Sequence, residues 1–136
     1  MWKCPRCGRG FRKRNQQHSC AVYPVDKHFR GKEMIARPLY NRLTELIKKN
    51  IGPFRVESLP CCIHLVSNYT FAAVYALQKK IRIHFTTDHR INSRRIDKFS
   101  RMSANRYLYS IGIEDEKEMD EELISWLKQA YNLMRT

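Results

Sequence analysis

The last thirty residues carry the clearest pattern in the chain. Met119, Leu123, Trp126, Leu127, Ala130, Tyr131 and Met134 recur at three- and four-residue steps and form one apolar stripe of a helix. Asp115, Glu116 and Glu118 are expected in its first turn, where negative charge meets the positive end of the helix dipole. A second stripe, Ile35, Leu39, Leu43, Leu46 and Ile47, predicts a helix over 33–50 that Gly52-Pro53 ends. Pro38 either sits in the first turn of that helix or kinks it. Just upstream, Asp26 is placed to cap one short helical turn that Gly31 terminates.

Between the two helices the period changes to two. Segments 54–57, 61–67, 71–77 and 81–86 read as successive strands, with turns at Asn68 and at Gln78-Lys79-Lys80. In the last of them Ile81, Ile83 and Phe85 alternate with Arg82, His84 and Thr86, so one face is core and the other is wet. Residues 87–105 show no period and read as a long irregular loop. Arg106 to Ile113 alternates again, with Tyr107, Tyr109, Ile111 and Ile113 on one face. The expectation is an α+β protein: an N-terminal zinc module over 1–24, then a two-layer sandwich of antiparallel sheet and two helices over 25–136, both helices on one face.

Composition adds an apolar share of 43%, enough for a real core in 136 residues. No apolar run approaches the roughly 20 residues that span a bilayer. Met1-Trp2-Lys3-Cys4 lacks the regions of a secretory signal, so a cytoplasmic protein with no membrane partner is expected. The net charge of +13 is uneven: residues 1–20 carry six basic and no acidic side chains, residues 79–106 nine basic and two acidic, and residues 107–136 three basic and seven acidic. Fields of this kind attract polyanions.

Five cysteines at positions 4, 7, 20, 61 and 62 do not make a disulfide framework, because the number is odd and most cluster at one end. Cys4-Pro5-Arg6-Cys7-Gly8 is a zinc-knuckle sequence: two intervening residues let both sulfurs reach one ion, and the glycine permits the turn. His18-Ser19-Cys20 supplies the other half. Cys4, Cys7, His18 and Cys20 therefore predict one structural zinc ion in a closed tetrahedron, with His28 the competing fourth ligand. Phe11, between the halves, is the natural apolar plug.

The chain resembles a family of small bacterial proteins known as domain of unknown function 5655. The residues that carry the resemblance are Trp2-x-Cys4-Pro5-x-Cys7-Gly8-x-x-Phe11, Asn15-Gln16-x-His18-Ser19-Cys20, Val25-Asp26-x-His28-Phe29-x-Gly31-Lys32, Phe71-Ala72-Ala73-Val74, Arg106-Tyr107 and Glu122-Leu123-x-x-Trp126-Leu127. The resemblance implies no activity. Similar proteins carry small or aliphatic residues where this chain has Cys61-Cys62, so it implies no inherited thiol chemistry there.

The function expected from these residues is a basic binding module that engages nucleic acid or another polyanion without catalysis. Arg82, Arg90, Arg94, Arg95, Lys98, Arg101 and Arg106 would contact phosphates, with Arg6, Arg9, Arg12, Lys13 and Arg14 as a second patch. Tyr69, Phe71 and Tyr75 could stack on unpaired bases if they face outward. Two alternatives stand beside it. One is an enzyme acting on a phosphorylated or nucleotide substrate, for which Cys62 with His64, or His84 with Asp88 and His89, are the candidate groups. The other is a protein-interaction adaptor. The five scattered glycines form no phosphate-cradling loop.

Overall fold

A computed structural model describes residues 2–20 and 23–135. Two short strands, β1 (Trp2–Lys3) and β2 (Gly10–Phe11), pair antiparallel and enclose the Cys4–Cys7 turn. A single helical turn, α1 (Val25–His28), leads into α2 (Ala36–Asn50). Strands β3 (Arg55–Ser58), β4 (Ile63–Val66), β5 (Thr70–Ala76), β6 (Ile81–Thr87), β7 (Lys98–Ser103) and β8 (Arg106–Ile113) follow, and α3 (Glu121–Leu133) closes the fold. The six long strands form one antiparallel sheet in the order β3-β4-β5-β6-β8-β7. The α+β architecture is as the sequence predicts: a six-stranded antiparallel sheet packed against helices.

The core lies between the sheet and the two long helices. Leu39, Leu43 and Ile47 of α2 and Leu123, Trp126, Leu127 and Ala130 of α3 are buried against Val74, Ile83, Phe85, Tyr109 and Ile111. Trp126 stacks near Phe85, with ring centroids 6.0 Å apart. Pro38 falls in the first turn of α2, where its missing N–H has no intrahelical partner to lose, so the helix is not broken there. At the far end of α2 the chain passes so close to α3 that a Cβ on Gly52 would lie 2.7 Å from the Tyr131 hydroxyl. That hydroxyl donates to the Pro53 carbonyl at 2.5 Å and joins the two helix ends.

Four expectations are corrected. The segment 87–105 is not all loop, since Lys98–Ser103 forms the edge strand β7. All six of its residues are exposed, and among the described residues it pairs with β8 alone, so no apolar alternation marks it. Asp115, Glu116 and Glu118 do not open the last helix; they form a separate 3-10 turn, with Asp115 and Glu118 in a reciprocal capping box. The cap of α3 is Asp120, whose carboxylate accepts from the Leu123 N–H at 3.1 Å. Asp26 is not a cap. It lies inside α1 and pairs with Arg37 at 2.9 Å, while Gly31 takes the left-handed turn (φ +73°) expected of it. Finally, α2 begins at Ala36, not at residue 33.

Candidate metal centre and open sheet face

The N-terminal hairpin brings four donors together. Gly8 N–H donates to the Cys4 carbonyl at 2.9 Å and Cys4 N–H to the Arg9 carbonyl at 2.9 Å, and the left-handed φ of Gly8 (+76°) closes the turn. Cys4 and Cys7 then face His18 and Cys20 from the returning segment. The sulfurs of Cys4 and Cys20 are 3.7 Å apart, and the Nε2 of His18 is 3.4 Å from both Cys7 and Cys20. All four ligand atoms lie within 4.8 Å of one another. Bonds of about 2.0–2.3 Å to one tetrahedral centre place neighbouring donors roughly 3.3–3.8 Å apart, so the cluster fits a metal ion.

Two further observations agree with that fit. The Nδ1 of His18 donates to the Gln16 carbonyl at 2.6 Å, which leaves Nε2 with the lone pair a metal requires. Backbone N–H groups of Cys7 and then Arg6, opposed by burial, pull the Cys4 thiol down to about 6, while burial and then its sulfur neighbours push Cys20 up to about 11. The Cys4 and Cys20 thiols are thus driven in opposite directions, and a bound cation removes the conflict. Phe11 plugs the module as expected, 4.3 Å from the His18 ring and 5.9 Å from that of Trp2. His28 is not a competitor: its Nε2 is 3.0 Å from Ser58 Oγ, and its ring packs on Tyr23.

The module lies beside β3. Arg9 pairs with Glu57 at 3.5 Å, and the Arg12 guanidinium covers the Tyr69 ring at 3.9 Å. Two of the five cations of the N-terminal patch thus join the module to the sheet; Arg6, Lys13 and Arg14 are exposed.

The helices cover one face of the sheet. The opposite face of β5, β6, β8 and β7 holds a groove of about 490 Å³, with Tyr75, Arg82, His84, Lys98, Leu108 and Ser110 among its lining residues. Arg82 is held by the Ser110 hydroxyl at 3.1 Å and by Asp97 at 3.3 Å. The Tyr75 and His84 rings are 4.6 Å apart. Burial, then Arg82 and Lys98, lower the pKa of His84, so the imidazole is neutral at pH 7 between two cations.

The seven cations expected to bind phosphate are thereby divided. Arg82 and Lys98 meet in the groove. Arg90 lies over the Phe99 ring at 4.9 Å, and Arg94 is exposed in the segment before β7. Arg101 and Arg106 sit at the β7–β8 turn and donate to the Ser103, Ala104 and Asn105 carbonyls. Arg95 is elsewhere. It pairs with Asp120 at 2.8 Å and Glu122 at 3.0 Å and lies 5.7 Å from the Trp126 ring, a clamp on the start of α3. Partial burial opposes its charge, but the two carboxylates outweigh that and raise its pKa.

Of the aromatic candidates, Phe71 is core and packs on Tyr131 at 5.1 Å, Tyr69 is covered by Arg12, and Tyr75 lines the groove. The candidate catalytic groups are only partly brought together, since His89 keeps Asp88 but neither Cys62 with His64 nor His84 with Asp88 and His89 shows a contact. His64 meets Thr70 Oγ1 at 3.4 Å, Cys62 meets Cys61 and Tyr75, and His89 pairs with Asp88 in the open while His84 lies in the groove. Sequence reasoning passed over Ser110 and Leu108, which signal nothing until β8 is set beside β6 and β7, and Asp120, which caps α3 and pairs with Arg95.

An N-terminal Cys/His cluster that can hold a metal ion, followed by helices on one face of an antiparallel sheet, defines a small α+β class of protein. Residues 25–134 match the family model for the domain of unknown function DUF5655, and the chain belongs to that family. The metal cluster precedes the matched segment. Comparison with curated proteins and with solved structures gave no match. Among the described residues no helix is long and apolar enough to cross a membrane.

Proposed function

We propose that this protein is a zinc-stapled, non-catalytic module that binds single-stranded nucleic acid on the open face of its sheet. The observation that carries the reading is the groove, where Arg82, Lys98 and neutral His84 stand beside the exposed side of Tyr75 over an apolar floor at Leu108. Cations beside an aromatic wall suit a phosphate next to an unstacked base, because every base has a face that can stack and each phosphate contact releases counterions. A duplex hides those faces. Cys4, Cys7, His18 and Cys20 are the donor set of a structural zinc site, and four protein ligands leave no open position for substrate. Zinc would supply cohesion to a hairpin too small for a core, and the hairpin in turn would hold Arg6, Lys13 and Arg14 beside the sheet as a secondary attraction for phosphate.

Fluorescence anisotropy with labelled single-stranded and duplex oligonucleotides, from low to physiological salt, tests the reading. The expected result is tighter binding of single strands, with affinity falling linearly on a log–log plot against salt. Equal or tighter binding of duplex would move the partner to the exposed β7–β8 ribbon. Binding of neither at physiological salt would retire nucleic acid as the ligand.

A further inference from the structure

Neither the metal cluster nor the groove uses the two cysteines in the turn between β3 and β4. Cys61 is exposed and Cys62 is buried, and their sulfurs are only 3.0 Å apart. The turn is closed by Leu59 N–H, which donates to the Cys62 carbonyl at 2.9 Å. Antiparallel register sets Ile63 opposite Val74, so Cys62 stands beside Tyr75, and each group raises or lowers the other's readiness to ionise. Tyr75 in turn contacts His84 and forms one wall of the groove. An accessible thiol thus sits against a shielded one that is joined through a single side chain to the ligand-binding face.

We propose that Cys61 and Cys62 are a peroxide-responsive dithiol whose closure to a disulfide releases Tyr75 and reshapes the groove. An exposed cysteine with a second thiol against it is an arrangement in which a sulfenic acid can condense to a disulfide. The Cys61 thiolate attacks one oxygen of hydrogen peroxide; the S–O bond forms, the O–O bond breaks, and the departing hydroxide takes a proton and leaves as water. Cys62 then gives up its proton and attacks the Cys61 sulfur. The S–S bond forms, the S–O bond breaks, and the hydroxyl leaves with that proton as a second water. Two thiols and one peroxide become one disulfide and two waters, with two electrons passing from sulfur to oxygen.

The division of labour follows from position. Burial, reinforced by the Cys61 thiol, raises Cys62 to about 12, so it stays protonated beside Tyr75 until Cys61 is oxidised. Neighbouring Cα atoms are about 3.8 Å apart, nearer than the roughly 4.4–6.8 Å usual for bridged cysteines. Closing the ring therefore forces the turn to shift, and Cys62 cannot keep its place beside the Tyr75 phenol. The same constraint leaves the bond open to reduction by thiols. The effect on the groove rests on the binding reading above; the thiol chemistry does not.

The test uses the full-length, metal-loaded protein, treated with hydrogen peroxide, alkylated and mapped by peptide mass. The expected result is a peptide containing residues 61 and 62 that has lost two hydrogens and regains them with a dithiol reductant. Cys62→Ser should instead leave a sulfenic acid on Cys61 that a cyclic diketone traps. The Tyr75 ring resonances should shift on oxidation, which reads the groove wall without any ligand. Oxidation should also weaken single-stranded oligonucleotide binding by about fivefold, within what one lost base–aromatic stack does. Cys61→Ser should show neither change, which separates this effect from oxidation of the metal cysteines. A 61–62 peptide that remains dithiol, or advances to sulfinic acid without bridging, would overturn the proposal. A disulfide that leaves the Tyr75 resonances unmoved would overturn the coupling. Failure of the untreated protein to bind oligonucleotide would instead count against the binding reading alone.

Discussion

The two faces of the sheet are built from the same strands and follow different rules. Along β6, Ile81, Ile83 and Phe85 are fully buried beneath α2 and α3, while Arg82, His84 and Thr86 between them stay half-exposed on the other side. The helix-covered face is close-packed and neutral, and its composition is what any such sandwich needs. The open face has cations, imidazole and phenol around a groove. The pleat therefore separates the residues that hold the fold from those available for a partner, and a substitution can be aimed at one set without touching the other.

The largest expected effect is at the border of the open face. Removing the proposed zinc with a strong chelator, or breaking its site by Cys20→Ser, removes a binding free energy of about 10–16 kcal/mol from the N-terminal hairpin. The hairpin should unfold while the sheet persists, which amide exchange resolves by region. Elemental analysis should give one zinc per chain. Iron in its place, or a sandwich that melts with the hairpin, would contradict the separation.

On the covered face, Trp126→Ala removes a side chain that is only 7% exposed and stacks near Phe85. Truncations of this kind cost about 3–5 kcal/mol, and denaturant titration should show that loss with no change in oligonucleotide affinity after correction for the folded fraction. A small shift in midpoint would mean that the stripe faces a partner.

The sequence showed the covered face well and the open face poorly, for a physical reason. Burial demands apolar residues at a fixed period, so the stripe from Met119 to Met134 and the Ile81–Phe85 alternation stand out. The metal donors were legible too, because the Cys4-x-x-Cys7 and His18-x-Cys20 spacings are ones that place paired donors on one ion. The groove has no such constraint: Tyr75 comes from β5, Arg82 and His84 from β6, Lys98 from β7 and Ser110 from β8. Only the order β5-β6-β8-β7 brings them together, and β7, exposed along its length, carries no pattern to announce it. Charge counting therefore grouped Arg95 with Arg82, although one clamps α3 and the other lines the groove.

A smaller effect should appear with pH. Burial lowers the pKa values of His28, His64 and His84 below 6.5 in the folded protein, His84 with added repulsion from Arg82 and Lys98. As pH falls below 6.5 the unfolded chain takes up protons that the folded one refuses, so stability declines with acid and is fully present only above the histidine range. A phosphate in the groove would favour protonated His84, so oligonucleotide affinity should rise over the same fall in pH. His84→Gln should abolish that rise while leaving most of the acid destabilisation, which His28 and His64 share.

The central claim is that the open face binds through the Arg82–Lys98 pair. The direct measurement is the salt dependence of single-stranded oligonucleotide affinity for wild-type protein and for Arg82→Ala/Lys98→Ala, with Arg94→Ala as the control outside the groove. Two lost phosphate contacts on a single strand should flatten the log–log slope by about 1.4 and weaken binding at every salt concentration, while the double variant keeps its fold and Arg94→Ala changes little. A double variant that folds normally and binds with unchanged slope and affinity would contradict the account.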